Sequence, residues 1–368
     1  VQIDAAVLRA ADAPYTIERV ELADPGPGEI AVRIAGAGMC HTDLLGRAPG
    51  DLVGKPVILG HEGSGVVEAV GPGVAGVTVG DHVVMSFDSC GTCANCRDAK
   101  PGACPQMPAL NMIAVPLDGT PRALDADGNA VGNRWFGQSS FASHALGTVR
   151  NVVPVPKDVP LEKLGPLGCG VQTGAASVLI SLGVRAGDGI AVFGTGAVGL
   201  AAVMAAKVAG ATTIVAVDLN DARLDLAREF GATHTLNGAD DDIAGRIRAL
   251  SGGEGVQYSF DTTAVPSVVS AAVASVRTTG VCALVGVGSE EYRLDPNLLL
   301  MGRTVKGVIE GDAVPQTFIP KMIDLWRRGL FPFDRLIETY PLDQINQAEA
   351  DAASGKVVKP VLVPRHRT

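Results

Sequence analysis

Over the first 170 residues, apolar and polar positions alternate in short runs broken by Gly and Pro. "EIAVRIAGAG" at 29–38 and "GSGVVEAVGPGV" at 63–74 have the spacing of short strands joined by tight turns, which predicts a β-barrel-like domain. From 171 the rhythm changes. The apolar runs "IAVFG", "TIVAVD", "VQYSFD" and "VCALVGVG" read as strands buried on both faces, and "DARLDLAREFGA" and "VPSVVSAAVASVRTTG" between them carry helical spacing. That alternation predicts parallel βαβ units with a helix on each crossover. The tail from about 310 holds a helix in "PQTFIPKMIDLWRRG" and a strand in "KPVLVP", expected to rejoin the first domain. Domains are therefore expected at 1–170, 171–309 and 310–368, the last completing the first.

Length and charge narrow the classes of partner. The 368 residues suit two domains better than one core. A net charge of -9, with no long basic stretch, excludes nucleic acid and anionic membrane as expected partners and favours a small molecule. The start, "VQIDAAVLRAADAPY", is charged too early and too often for a signal peptide, so the expected location is the cytoplasm. One uncharged window, "GIAVFGTGAVGLAAVMAA" at 189–206, has the length of a membrane span, but its glycines divide it into a strand and a helix.

Those glycines, Gly194, Gly196 and Gly199, have G-x-G-x-x-G spacing, and the next predicted strand ends at Asp218, nineteen residues beyond Gly199. The combination is the fingerprint of a Rossmann-type dinucleotide site. Glycines permit a tight turn and close approach to pyrophosphate, amides at the helix start meet its charge, and the acid bonds the ribose. A carboxylate there repels a 2'-phosphate, so NAD is expected rather than NADP. Arg223 could touch the same ribose or phosphate, the alternative being a solvated helix arginine.

Four of the seven cysteines crowd into "CGTCANCRDAKPGAC": Cys90, Cys93, Cys96 and Cys104. Two disulfides, a redox pair, an iron-sulfur cradle and a zinc site all fit such a loop; a reducing cytoplasm disfavours disulfides and leaves metal binding as the favoured reading. Away from that loop, Cys40 in "GAGMCHTDLLG", His61 in "ILGHEGSGVV" and Cys169 in "PLGCGVQTG" each sit at a glycine-flanked turn. Two thiolates and an imidazole suit Zn²⁺ with a fourth position for substrate or water. Singly, each reads more readily as a buried structural residue, and it is their joint occurrence with a nucleotide fold that favours a metal site.

Through "CHTD", "GHEGSGVVEAVG", the four-cysteine loop, "GCGVQTG" and "GTGAVG" with Asp218, essentially the whole chain resembles the zinc-dependent medium-chain alcohol dehydrogenases. The resemblance implies an α/β chain with a Rossmann-type parallel-sheet domain and a β-rich GroES-like catalytic domain. It also implies two zincs per chain: a catalytic one on Cys40, His61 and Cys169, and a structural one closed by Cys90, Cys93, Cys96 and Cys104. Glu62 would be a neighbouring carboxylate or transient ligand, and Asp43 would orient His61. Thr42 would begin a proton relay through the cofactor ribose, although Leu45 stands where many members end that relay with a histidine. His41 and Lys359 fall at phosphate-facing positions, and Thr173 joins the cofactor-binding set. The implied reaction is reversible hydride transfer between an alcohol and NAD, giving aldehyde or ketone and NADH.

Within the family, "VVMSFDSCGTC", "WFGQSSFASHAL" and "CHTDLL" look most like the aryl-alcohol (benzyl-alcohol) dehydrogenases, implying an aromatic or allylic primary alcohol. Phe87 and Phe141 are then candidates for an apolar pocket, with Trp135 and Phe136 near it, against core packing as the alternative. Two rivals stand beside this. A thiol-adduct formaldehyde dehydrogenase would need a basic anchor such as Arg122 or Arg134, and a non-catalytic NADH sensor would be expected to lose a zinc ligand. A homodimer or homotetramer is expected.

Overall fold

The alternating run at 29–38 forms a single strand, Glu29–Gly38, with Ile30, Val32 and Ile34 wholly buried on one face. This strand organises a seven-stranded sheet in the computed structural model, which describes residues 1–48 and 53–366. Its antiparallel partners are Glu62–Val70 along one edge, and His144–Thr148 and the C-terminal strand Lys359–Val363 along the other. Val361 pairs with Gly38 and Leu362 with Ala37, so the end of the chain enters the sheet beside the turn that leads to Cys40. A second sheet of four strands, built on the pair Gln2–Leu8 and Thr16–Leu22, shares the same core.

The apolar runs after 171 form six parallel strands in the order His234–Asn237, Thr213–Asp218, Gly189–Phe193, Val256–Asp261, Val276–Leu284, Thr304–Gly307. That is the doubly wound order, in which the first strand lies at the centre and ligands gather at the carboxyl ends. The uncharged window at 189–206 resolves into the strand Gly189–Phe193 and the helix Ala197–Ala209. Among the described residues, no helix is long and apolar enough to cross a membrane. One expected helix is too long. It covers only Pro266–Ser275, and "VRTTG" begins the next strand, because β-branched Val and Thr followed by Gly suit extended backbone better than another helical turn.

The chain divides into one unit of Val1–Cys169, Val314–Met322 and Asp334–Thr368, and another of Gly170–Ala313 and Ile323–Phe333. The expected boundary at 310 therefore falls too early. Glu310 accepts hydrogen bonds from Gln172 and Thr173, and Asp312 from Ser181 and Lys306, which ties this segment to the parallel-sheet unit. Ile323–Phe333 joins the same unit and carries a ring cluster of Trp326, Phe331 and Phe333.

Candidate active site

Cys40 is the N-cap of the helix His41–Arg47, in extended conformation, and its own amide donates to Asp43 Oδ2 at 3.1 Å. The capping carboxylate has a second task. Asp43 Oδ1 accepts from the Gly60 amide (3.2 Å) and lies 2.8 Å from His61 Nδ1, so a local helix cap also orients the imidazole. His61 Nε2 is buried with no partner, a costly state for a polar atom unless a ligand completes it. Cys169 follows the tight turn Gly165–Gly168, whose last carbonyl accepts from Ser86 Oγ at 2.6 Å.

Ligating atoms of Cys40, His61, Glu62 and Cys169 all lie within 4.8 Å of one another. Two sulfurs, one imidazole nitrogen and one carboxylate oxygen form a donor set that fits zinc. Glu62 is wholly buried and meets Lys359, whose Nζ lies 3.0 Å from both carboxylate oxygens and donates to Met39 O at 2.9 Å. Lys359, expected at a phosphate, is thus placed on Glu62 and is only 2% exposed. Burial opposes its charge, but Glu62, Cys40 and Cys169 outweigh that and raise its pKa. The Cys40 thiol is held well below its ordinary range, chiefly by a hydrogen bond with Cys169, with Lys359 and His61 assisting. The Thr42 hydroxyl lies 3.7 Å from Cys40 Sγ. His41 is exposed, and Leu45 offers no proton-carrying group.

The four clustered cysteines form a second set, again with sulfurs within 4.8 Å. Cys90 and Cys96 sulfurs are 3.9 Å apart and those of Cys93 and Cys104 4.0 Å, far beyond a disulfide's ~2.0 Å. A tetrahedron with zinc–sulfur bonds of ~2.3 Å has edges of ~3.8 Å. Amides of Thr92 and Cys93 point at Cys90 Sγ and push its pKa down to about 6. Cys282 belongs to neither set; it is buried in the parallel-sheet core, which pushes its thiol up to about 12.

In the parallel-sheet unit, Gly194 has φ +84°, and a Cβ at Gly199 would lie 1.8 Å from Gly194 O, so helix and strand pack through a contact no side chain permits. A Cβ at Gly196 would meet nothing within 4 Å, which leaves the backbone open to a ligand. Asp218 ends its strand and is fixed by Thr195, whose amide (2.6 Å) and hydroxyl (2.8 Å) donate to Oδ2. Arg223 lies on the following helix, Asp221–Phe230, and its buried Nε has no partner. Sequence reasoning missed a cavity of about 310 Å³ at the carboxyl edge, lined by Phe193, Val217, Gly238, Ile243 and Val268 among others. Its walls come from scattered positions, so only the strand order points to it. Glu310, which accepts from the Thr173 hydroxyl at 3.3 Å, was likewise outside every motif.

The aromatic expectations divide. Phe141 is core rather than pocket: it is fully buried, packs edge-on to Tyr15 at 6.2 Å and sits so tightly on Gly60 that a Cβ there would lie 2.4 Å from its ring. Phe87 lines a cavity of about 330 Å³ beside Cys96, Arg97 and Arg150, against the four-cysteine loop. Phe136 stacks on His61, with ring centroids 4.5 Å apart. Arg122 and Arg134 both donate to Glu29, at 2.6 and 3.4 Å.

Comparison with known proteins agrees with this geometry. The family profile described as alcohol dehydrogenase GroES-like domain matches residues 26–157, and that described as zinc-binding dehydrogenase matches 197–328. The chain is similar to a geraniol dehydrogenase of Castellaniella defragrans, at 45% identity over 99% of this chain and 98% of that one. Its structure is similar to that of an alcohol dehydrogenase zinc-binding domain protein from Burkholderia ambifaria, with 48% identity, a TM-score of 0.97 and complete coverage of both chains. It is also similar to that of a benzyl alcohol dehydrogenase from Acinetobacter calcoaceticus, with 39% identity, a TM-score of 0.95 and coverage of 99% and 100%.

Replacing Lys359 by Met leaves Glu62 buried without its counter-charge, and denaturant unfolding should show a loss of about 3–5 kcal/mol. The two cysteine sets should respond differently to Ser. Cys93→Ser is expected to lower the thermal midpoint first, whereas Cys169→Ser should release metal from its own set with the smaller change in midpoint; the reverse order would exchange the roles of the two sites.

Proposed function

Since the chain belongs to the zinc-dependent medium-chain alcohol dehydrogenases, we propose that it transfers hydride reversibly between an allylic or aromatic primary alcohol and NAD, giving the aldehyde and NADH. The observation that carries this reading is the partnerless His61 Nε2 among Cys40, Glu62 and Cys169, in a chain that also carries the dinucleotide fingerprint. Cys40, His61 and Cys169 hold the catalytic zinc, and Cys90, Cys93, Cys96 and Cys104 a structural one, two per chain. Bound zinc supplies a Lewis acid that makes an alcohol hydroxyl more acidic.

The chain's own residues do the remaining work. Asp43 fixes the orientation of His61, and Lys359 restrains Glu62 so that its carboxylate can serve as a transient ligand without drifting as an unpaired charge. Thr42 accepts the alcohol proton on its hydroxyl and passes it on; Leu45 cannot continue the relay, so water or another base receives it. The glycine turn cradles pyrophosphate, Asp218 bonds the adenosine ribose and selects NAD, and the 310 Å³ cavity takes the adenine. Arg223 adds positive charge on the cofactor, His41 faces its pyrophosphate, and the active form is a homodimer or homotetramer.

Support for the substrate class comes from two relatives, one named for geraniol and one for benzyl alcohol. Both alcohols give conjugated aldehydes, which lie lower in energy than isolated ones. Arg122 and Arg134 share the single carboxylate of Glu29, so both are engaged within the fold, and an acidic thiol adduct would have to compete with Glu29 for them.

With NAD, a panel of aliphatic, allylic and benzylic primary alcohols should give the highest kcat/KM for the last two groups; formaldehyde turnover that depends on an added thiol would point to the adduct dehydrogenase. NADP should be the poorer cofactor, and equal efficiency with the two would remove the role given to Asp218. Thr42→Ala should lower kcat roughly a hundredfold while zinc content stays unchanged.

A further inference from the structure

One short turn reaches His61 in three ways: through Asp43, through the face of its ring and through its backbone. Trp135 is fully buried, and its indole Nε1–H donates to Asp43 Oδ1 at 3.0 Å, the same oxygen that meets His61 Nδ1. Phe136 stands at φ +51°, a left-handed conformation disfavoured for a residue with a side chain, and this places its ring face to face with that of His61. Gln138 donates to the His61 carbonyl at 2.8 Å and accepts from the Gly63 amide at 3.0 Å. Nothing in the substrate or cofactor chemistry calls for an indole at this place.

We propose that Trp135 is a positioning residue for the catalytic metal, acting through Asp43 on His61. The indole nitrogen and the Gly60 amide can only donate, so Asp43 Oδ1, facing both, must accept. His61 Nδ1 therefore carries the hydrogen, and Nε2 presents its lone pair to the metal. Phe136 blocks rotation of the ring out of that orientation. Trp135 and Phe136, expected near a substrate pocket, are thereby assigned to the support of a ligand.

The proposal rests on the zinc reading and has its own readouts. In the zinc-loaded enzyme, Trp135→Phe should release the metal of the Cys40 set to a chromogenic chelator tenfold or more faster than wild type, the four-cysteine metal keeping its rate. In an Asp43→Ala background the same substitution should add nothing, because its route to His61 is gone. The wild-type chain supplies a measurement that needs no core variant. It has two tryptophans, so the indole N–H resonances can be assigned with Trp326→Phe, and that of Trp135 should shift when the Cys40-set metal is removed. Wild-type release from Trp135→Phe, multiplicative effects of the two substitutions, or an indole signal indifferent to the metal would each overturn the proposal. A wild-type chain that holds metal only on the four cysteines overturns the zinc reading as well, and shows it before any variant is made.

Discussion

Two sulfurs, an imidazole and a carboxylate share a buried space in which their ligating atoms lie within 4.8 Å of one another. With both thiols ionised, each like-charged pair at that distance repels by about 3 kcal/mol at an effective dielectric constant of ~20. Among the described residues, the cation bonded to this carboxylate is Lys359, and it comes from the far end of the sequence, 297 residues beyond Glu62. The return of the C-terminal strand to the sheet is therefore part of the active site. Without the pairing of Val361 with Gly38, the ammonium would have no fixed place beside the carboxylate.

Close packing around the same site accounts for the glycines in its motifs. A Cβ at Gly38 would lie 2.1 Å from Glu62 Oε2, and one at Gly168 would lie 2.1 Å from Met85 O. These positions bring ligands from separate strands and turns into one space because nothing protrudes between them. The four-cysteine loop follows the opposite plan. Its four sulfurs come from fifteen consecutive residues, and backbone amides within the loop donate to them. One centre is held by the tertiary fold and the other by its own local turns.

That difference governs what could be read in advance. The strand runs "IAVFG", "TIVAVD" and "VQYSFD" are buried on both faces, and a glycine turn followed by an acid at fixed spacing leaves few backbone geometries open. Phe141 misled because an apolar side chain reads the same in a core and in a pocket; burial against Gly60 and Tyr15 separates the two. Lys359 misled for a related reason. The resemblance alone put it at a phosphate, and a lysine has no sequence mark to distinguish that role from pairing with a carboxylate.

By itself, then, the sequence determined most of the elements, because residue type and local spacing carry those, and its family resemblance named the two groups of side chains whose ligating atoms the fold brings together. It could not determine the partners of the ligands. Trp135 on Asp43, Phe136 on His61, Lys359 on Glu62 and the cavity at the sheet edge all join residues distant in sequence. Such contacts are decided by how sheets and turns pack in space, and only the folded chain brings them within hydrogen-bonding distance.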